Sequence, residues 1–346
     1  MLTLTRKRGA RLGALVAVTC MGLAAGCGSS APSGSSGGGA SGNSSAGTAS
    51  SGTASVAYAA SLAYLNEKVV GPAFEKSTGL SYTGRAGPSD GLSAEIAAKE
   101  IAPDAFETVG GASIEALFGK FTSWYVQYAT TSIVVAYNPH SKYASQFRAI
   151  ASGREPVRDL FTLMEEPGFR LGRTDPNTDP QGRAFIFMLE LAAKKYHLPA
   201  NTVSKIIGSP ANSARSPQIF EEAALDSTLQ SGQLDAASAY LSQARQLHLS
   251  YITLPPDINL GDAADAAQYK KASITITSTS GQTTKTGSPL TIDITAIGNS
   301  ASGIKWVDYV LSPAGLALHK QGGYTLLKPT VTGTGVPASV QSELGG

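Results

Sequence analysis

Apolar residues along this chain come in short compact runs and in helical periods, and the two kinds alternate. The compact runs predict strands at Val56–Ala60, Ala105–Val109, Thr131–Tyr137, Arg170–Thr174, Ala236–Tyr240 and Tyr251–Leu254. Apolar positions three and four residues apart predict helices at Ser89–Ile101, Pro180–Tyr196, Phe220–Gln230 and Pro313–Gly322. Strands that alternate with helices indicate α/β sheets. Ser273–Thr277 and Leu290–Thr295, separated by a polar, glycine-containing stretch, read as a hairpin.

The predicted helices open in a recurring way. Asp179-Pro180 and Ser312-Pro313 each offer a side-chain cap followed by proline at the first helical position. Ser61 and Ser89 stand at comparable starts. Each is an ordinary cap, and each is also a place where free backbone N–H groups suit an anion. In α/β sheets the ligand crevice lies beyond the carboxyl ends of the strands, where such helices begin.

The first 55 residues break the pattern. Arg6, Lys7, Arg8 and Arg11 precede an apolar run from Leu12 to Ala25, the layout of a signal peptide and too short to span a membrane comfortably. The run ends in Leu23-Ala-Ala-Gly-Cys27, which resembles the lipobox of bacterial lipoproteins, with Ala24 where that pattern usually has leucine. The resemblance implies that residues 1–26 are a signal peptide and that Cys27 is lipidated. Residues 28–55 hold 11 serines, 8 glycines and no charge. Such a segment behaves as a flexible tether with a span of about 30 Å.

This division changes the charge. The whole chain of 346 residues carries 27 basic and 25 acidic residues, a formal +2. Without the four basic residues of the signal, 23 stand against 25, and the balance is −2. That balance gives no footing for nucleic acid as a partner. The chain has 2 cysteines, Cys20 in the signal and Cys27, so a lipidated Cys27 leaves no thiol for redox chemistry. His140, His197, His248 and His319 lack metal-ligand spacing and read as surface or structural residues, and Trp124 and Trp306 as packing residues. No nucleophile elbow, Walker loop or dinucleotide fingerprint is present. The remaining 291 residues, 56–346, exceed the size at which one core keeps growing, so two lobes are expected.

Four ordered fragments carry a further resemblance. They are Leu171-Gly-Arg-Thr-Asp-Pro-Asn-Thr-Asp-Pro-Gln-Gly-Arg183; Ser231-Gly-Gln-Leu-Asp235 with Tyr240 and Leu254-Pro-Pro-Asp-Ile-Asn-Leu260; Trp124-Tyr125 through Val135-Ala-Tyr137; and Ala59-Ala-Ser-Leu62 with Pro72-Ala-Phe-Glu-Lys-Ser-Thr-Gly79. From about Val56 to Pro329 the chain resembles the archaeal-type molybdate/tungstate-binding proteins that serve ABC importers. The resemblance implies an α/β, two-lobed type II periplasmic-binding fold with two hinge crossovers and an inter-lobe ligand cleft. Lobe one would comprise 56–130 and 253–346, the latter including the C-terminal tail, and lobe two 131–252. The hinges would lie near Ala129–Ile133 and Tyr251–Pro256.

In that family serines, backbone amides and a tyrosine hold the oxyanion, and two carboxylates complete an octahedron around its metal. By resemblance the serines are Ser61 and Ser89. The first carboxylate is Asp179, beside a backbone N–H from Gln181. The second, ten residues before Gly232, is Glu222, and the tyrosine, eight residues after it, is Tyr240. Asp175 and Glu221 are rivals for the carboxylate roles. The chain departs from the family at Gln181, where cysteine is usual, at Arg183-Ala184, where tyrosine-arginine is usual, and at Ala236, where an aromatic is common. The expectation is a non-enzymatic, monomeric receptor, lipid-anchored at the extracellular face of the cell membrane. It would need no cofactor, take tungstate or molybdate as ligand and have an ABC permease as partner. Alternatives are a receptor for another anion such as sulfate, a surface hydrolase using Asp179 and Glu222 as an acid–base pair, and an interaction lipoprotein without a small ligand.

Overall fold

A computed structural model describes residues 52–278 and 281–344; the expected signal segment, Cys27 and the tether up to residue 51 lie outside the described residues. Twelve strands follow in chain order among the described residues: β1 Thr53–Ala59, β2 Ser81–Gly87, β3 Ala105–Val109, β4 Trp124–Thr130, β5 Ile133–Tyr137, β6 Leu171–Gly172, β7 Ala236–Tyr240, β8 Ser250–Ile252, β9 Ser273–Ser278, β10 Gly281–Thr286, β11 Thr291–Ala296 and β12 Thr325–Gly333.

They form two main sheets. The first has the order β12-β4-β11-β3-β1-β2 and the second β6-β7-β5-β8. In the first, β1 runs parallel to both β2 and β3, whereas β11 is antiparallel to β3 and β4. In the second, β6 and β7 are parallel and β5 is antiparallel to β7 and β8. Strands β3, β5, β7 and β11 are buried along their whole length. Burial on both faces explains why β5 reads as an unbroken run and why β3 and β7 show no regular polar alternation.

The chain crosses from the first sheet to the second between Thr130 and Ile133. The return is longer. After Ile252 the chain passes Leu260, makes the β9–β10 hairpin and reaches β11 only at Thr291. The two crossings lie side by side: Leu290 N–H donates to Leu260 O at 2.8 Å, and Thr131 N–H to Leu290 O at 3.0 Å.

Several expectations are corrected. The first strand begins at Thr53, inside the stretch expected to be tether. β9 pairs with β10, not with Leu290–Thr295; the latter becomes β11 between β3 and β4 of the first sheet, where both its Ile292–Ile294 face and its Thr291–Asp293–Thr295 face are buried. The third predicted helix starts at Glu222 rather than Phe220. The helix from Ser89 stops at Ala97, since Lys99 adopts φ 61° and turns the chain away. The Arg170–Thr174 strand shrinks to two residues, continued by a single bridge from Arg173 to Ile219.

Aromatic residues anchor the first sheet. Trp306, on helix Ala301–Leu311, stacks on Tyr82 at 5.0 Å and meets Phe74 edge-on at 5.1 Å. Trp124, on β4, donates its indole N–H to Asn299 Oδ1 at 2.9 Å. Both tryptophans are fully buried. His319 is buried as well, between Tyr128 Oη at 3.0 Å and Gly315 O at 2.9 Å, so it is a structural residue. His140, His197 and His248 are exposed. In the second half, helix Pro180–Lys195 runs through the core with Phe185, Met188, Leu189 and Leu191 all buried. Each such side chain contributes about 1.5–3 kcal/mol, which fixes the start of this helix firmly.

Candidate functional site

The carboxyl ends of the parallel strands converge. Ser61 lies in the turn of helix that follows β1, Ser89 begins the helix that follows β2, and Val109 ends β3. From the other half, Asp179 follows β6, Glu222 begins helix Glu222–Gln230, and Tyr240 ends β7. Ser61, Ser89, Asp179, Glu222 and Tyr240 line one narrow cleft, too tight as it stands to admit a water molecule, and Ala59, Ala60, Gly87, Pro88, Val109 and Pro180 complete its wall. A larger groove of about 440 Å³ lies between helices Ala144–Ala151 and Arg158–Met164 and contains none of these groups.

Asp179 caps helix Pro180–Lys195: its Oδ1 accepts from Gln181 N–H at 2.8 Å. That N–H, expected from the resemblance to face an anion, is thereby held by the cap. Ser61 and Ser89 differ from expectation in the opposite sense. Neither side chain caps its helix. Ser89 Oγ accepts only a long bond from Val109 N–H at 3.4 Å. Ser61 Oγ has no hydrogen-bond partner among the described residues. Tyr240 is 1% exposed, and its hydroxyl likewise has no partner. Leaving a buried hydroxyl unpaired costs about 1–3 kcal/mol, so this group is poised for an acceptor.

The carboxyl groups share one electrostatic environment. Burial pushes Asp179 up to about 6, against the opposing pull of Gln181 N–H and Arg183. Burial, then the charge of Asp179, then that of Asp226 push Glu222 well above the carboxylate range. Burial pushes Asp226 up to about 7. Burial, followed by the two carboxylates, also raises Tyr240, which keeps its hydroxyl a donor. Burial and their mutual repulsion thus favour the protonated form of both Asp179 and Glu222.

The rivals separate cleanly. Glu221 is the exposed residue before the helix, while Glu222 is buried at the cavity. Asp175 accepts from the backbone N–H and the side chain of Asn177 and so braces the loop rather than the cavity. That loop lies tight on the helix because residue 182 is glycine: a Cβ there would stand 2.4 Å from Thr174 O.

Sequence reasoning missed the support beneath the carboxylates. Gln181 Nε2 donates to Glu222 Oε1 at 2.9 Å and to Gln243 Oε1 at 3.1 Å, and Ser238 Oγ donates to Gln181 Oε1 at 2.8 Å. Gln243 Nε2 in turn donates to Asp226 Oδ2 at 2.8 Å. The Glu222–Asp226 spacing of one helical turn could have singled out Asp226; nothing local points to Ser238 or Gln243. Arg183 also reaches across the cavity's edge to Asp90 at 2.9 Å, joining a helix of the second half to one of the first. Among the described residues no group of three or more His, Cys, Asp or Glu could hold a metal cation, and no helix is long and apolar enough to cross a membrane.

Comparison with known proteins gives concordant results. The family described as bacterial extracellular solute-binding protein matches residues 54–325. The chain is 29% identical over 243 residues to the molybdate/tungstate-binding protein WtpA of Thermococcus kodakarensis, a match covering 65% of this chain and 66% of that protein. It is 29% identical over 242 residues to the protein of the same name from Pyrococcus abyssi, covering 64% and 67%. The chain thus spans about two thirds of the length of these relatives. In fold it is similar to the periplasmic molybdate-binding protein of Azotobacter vinelandii, with TM-score 0.53, 17% identity and coverage of 79% of this chain and 99% of that one. It is likewise similar to the sulfate-binding protein SubI of Mycobacterium tuberculosis, with TM-score 0.50, 12% identity and coverage of 85% and 96%. The fold is the two-lobed α/β fold of periplasmic binding proteins.

Proposed function

The chain belongs to the bacterial extracellular solute-binding proteins, a family of binding proteins rather than enzymes, and on that premise we propose that it captures tungstate or molybdate and delivers it to an ABC permease. In this reading Cys27 carries a lipid anchor, and the oxyanion is bound by Ser61, Ser89, Asp179, Glu222 and Tyr240. The observation that carries the reading is the convergence of two carboxyl groups with three hydroxyls on one narrow cleft.

The chemistry discriminates among anions. Two carboxylates facing a dianion repel it strongly in a desolvated cleft. They bind it only if its centre is a Lewis acid that accepts further oxygen donors. Hexavalent tungsten and molybdenum expand to six-coordination, and sulfur in sulfate does not. The carboxylates that bond the one therefore reject the other. The Tyr240 and serine hydroxyls donate to the oxo groups, which only accept. Gln181 holds Glu222 in place from below and leaves Asp179 fixed by its own cap. The hydrolase alternative finds no support in a family of solute-binding proteins.

Calorimetry with tungstate, molybdate, sulfate and phosphate tests the proposal. Tight binding of the first two with little or none of the others is expected. Absence of binding by both metal oxyanions overturns it.

A further inference from the structure

An acidic domain needs local positive charge to draw in a dianion. Beside the cavity lies a second crevice of about 110 Å³. The two share a wall, since Val109 and Pro180 line both. The crevice takes Ser113 from the first half and Arg183 from the second, and its third side is the stretch from Lys285 to Leu290 that returns from the β9–β10 hairpin.

Two cations face this space. Arg183 is neutralised by Asp90 at 2.9 Å. Lys285 is half-buried, and no carboxylate lies within salt-bridge distance of it among the described residues. The hairpin that carries Lys285 is held against the second half. Thr277 N–H donates to Asn177 Oδ1 at 2.8 Å, Asn212 Nδ2 to Thr275 O at 2.8 Å, and Ser273 N–H to Glu190 Oε2 at 2.9 Å. Asn177 belongs to the same loop as Asp179. The lysine is thus fixed in register with the loop that bears a cavity carboxylate.

We infer that this crevice is the anion's entry vestibule and that Lys285 is its steering cation. The inference rests on the proposed oxyanion function. A half-buried ammonium with no carboxylate within salt-bridge distance among the described residues, in a crevice that shares Val109 and Pro180 with the cleft, concentrates field beside the binding site. It acts on arrival and not on the bound state, because the ligand's final contacts are those of the inner cavity. Lys285 therefore sets the association rate and leaves dissociation to the carboxylates and hydroxyls.

Stopped-flow ultraviolet difference spectroscopy of tungstate binding to the full chain separates these steps. Lys285→Glu should lower the association rate constant roughly three- to tenfold near 10 mM ionic strength and flatten its salt dependence, with dissociation unchanged. Lys285→Arg should restore both. Lys142→Glu makes the same charge change beyond Tyr137, which pairs with Ala236 at the opposite end of β7 from Tyr240, and should leave the rate unchanged. Wild-type binding with an association rate and salt slope that Lys285→Glu does not alter overturns the vestibule while the function stands. Equal effects of Lys142→Glu and Lys285→Glu overturn it too, since net charge alone then explains them. Failure of the wild-type chain to bind tungstate removes the functional reading itself.

Discussion

Replacing Tyr240 by phenylalanine should move stability and affinity in opposite directions. The ring is fully buried and its hydroxyl has no protein partner. In the free protein that hydroxyl is a desolvated donor without an acceptor, a cost of about 1–3 kcal/mol. Phenylalanine keeps the ring and its packing and removes the cost, so the unliganded protein should become more stable by up to that amount. In the complex the same hydroxyl donates to a charged oxo group. Such bonds contribute about 1.5–3 kcal/mol, so tungstate affinity should fall by roughly 10- to 150-fold. Because burial and the nearby carboxylates raise the tyrosine's pKa, it remains a donor across the working pH range, and the effect should not depend on pH between 6 and 8. Urea unfolding of the free protein and calorimetric titration with tungstate measure the two halves. A variant that is less stable when free and unchanged in affinity would refute the reasoning, for it would make Tyr240 an ordinary core residue.

The double variant Asp179→Asn, Glu222→Gln should weaken tungstate about a hundredfold or more by losing two charge-assisted contacts, while sulfate, no longer repelled, gains relative to it; competition titrations report the ratio. Burial and Asp179 favour the protonated form of Glu222, whereas direct ligation by both carboxylates favours the ionised form. Tungstate binding should then be accompanied by proton release, read from calorimetry in buffers of different ionisation enthalpy, and no release would point to hydrogen bonding alone. Gly182→Ala places a Cβ 2.4 Å from Thr174 O, so it should cost about 1–3 kcal/mol of stability and weaken tungstate by displacing the Asp179 loop. Asp293, buried in β11, is pushed by burial from 3.8 up to about 7. Its folded form holds the proton more tightly, so the stabilisation it gives is complete below pH 3.8 and lost as pH rises through about 7, at most roughly 4 kcal/mol. Asp293→Asn should accordingly gain on the wild type in urea midpoint as pH rises from 5 to 8, and parallel pH profiles would count against it.

The strand that read most clearly, β5, is buried along its whole length and carries an uninterrupted apolar run; β3 and β7 are equally buried, with Glu107, Thr108 and Ser238 among their apolar residues. β2 and β12 were not legible because they form the edges of the first sheet and leave most of their side chains exposed, including Arg85 and Lys328. β11 was seen as a strand, but its partners lie 161 to 191 positions earlier, where no local pattern reaches. The cavity residues were legible through family resemblance and counted spacing, and the structure places five of the six on one cavity. What the sequence could not show is what each donor already does. Gln181 looked like a source of a free N–H; its backbone is held by Asp179 and its side chain by Glu222, Ser238 and Gln243. The side-chain commitments depend on contacts 41 to 62 residues apart, whereas the Asp179 cap lies two residues away and was legible as a helix start.

Both tryptophans belong to the first sheet, one on β4 and one on the helix that covers it, whereas the second sheet's half carries none. The molecule is therefore optically lopsided. Indole emission follows one lobe alone, and the other reports only through its tyrosines. If the lobes melt separately, emission excited at the indole band will miss one transition, while a tyrosine signal or circular dichroism will register both. A single tryptophan placed in helix Glu222–Gln230 would give the silent half a voice of its own.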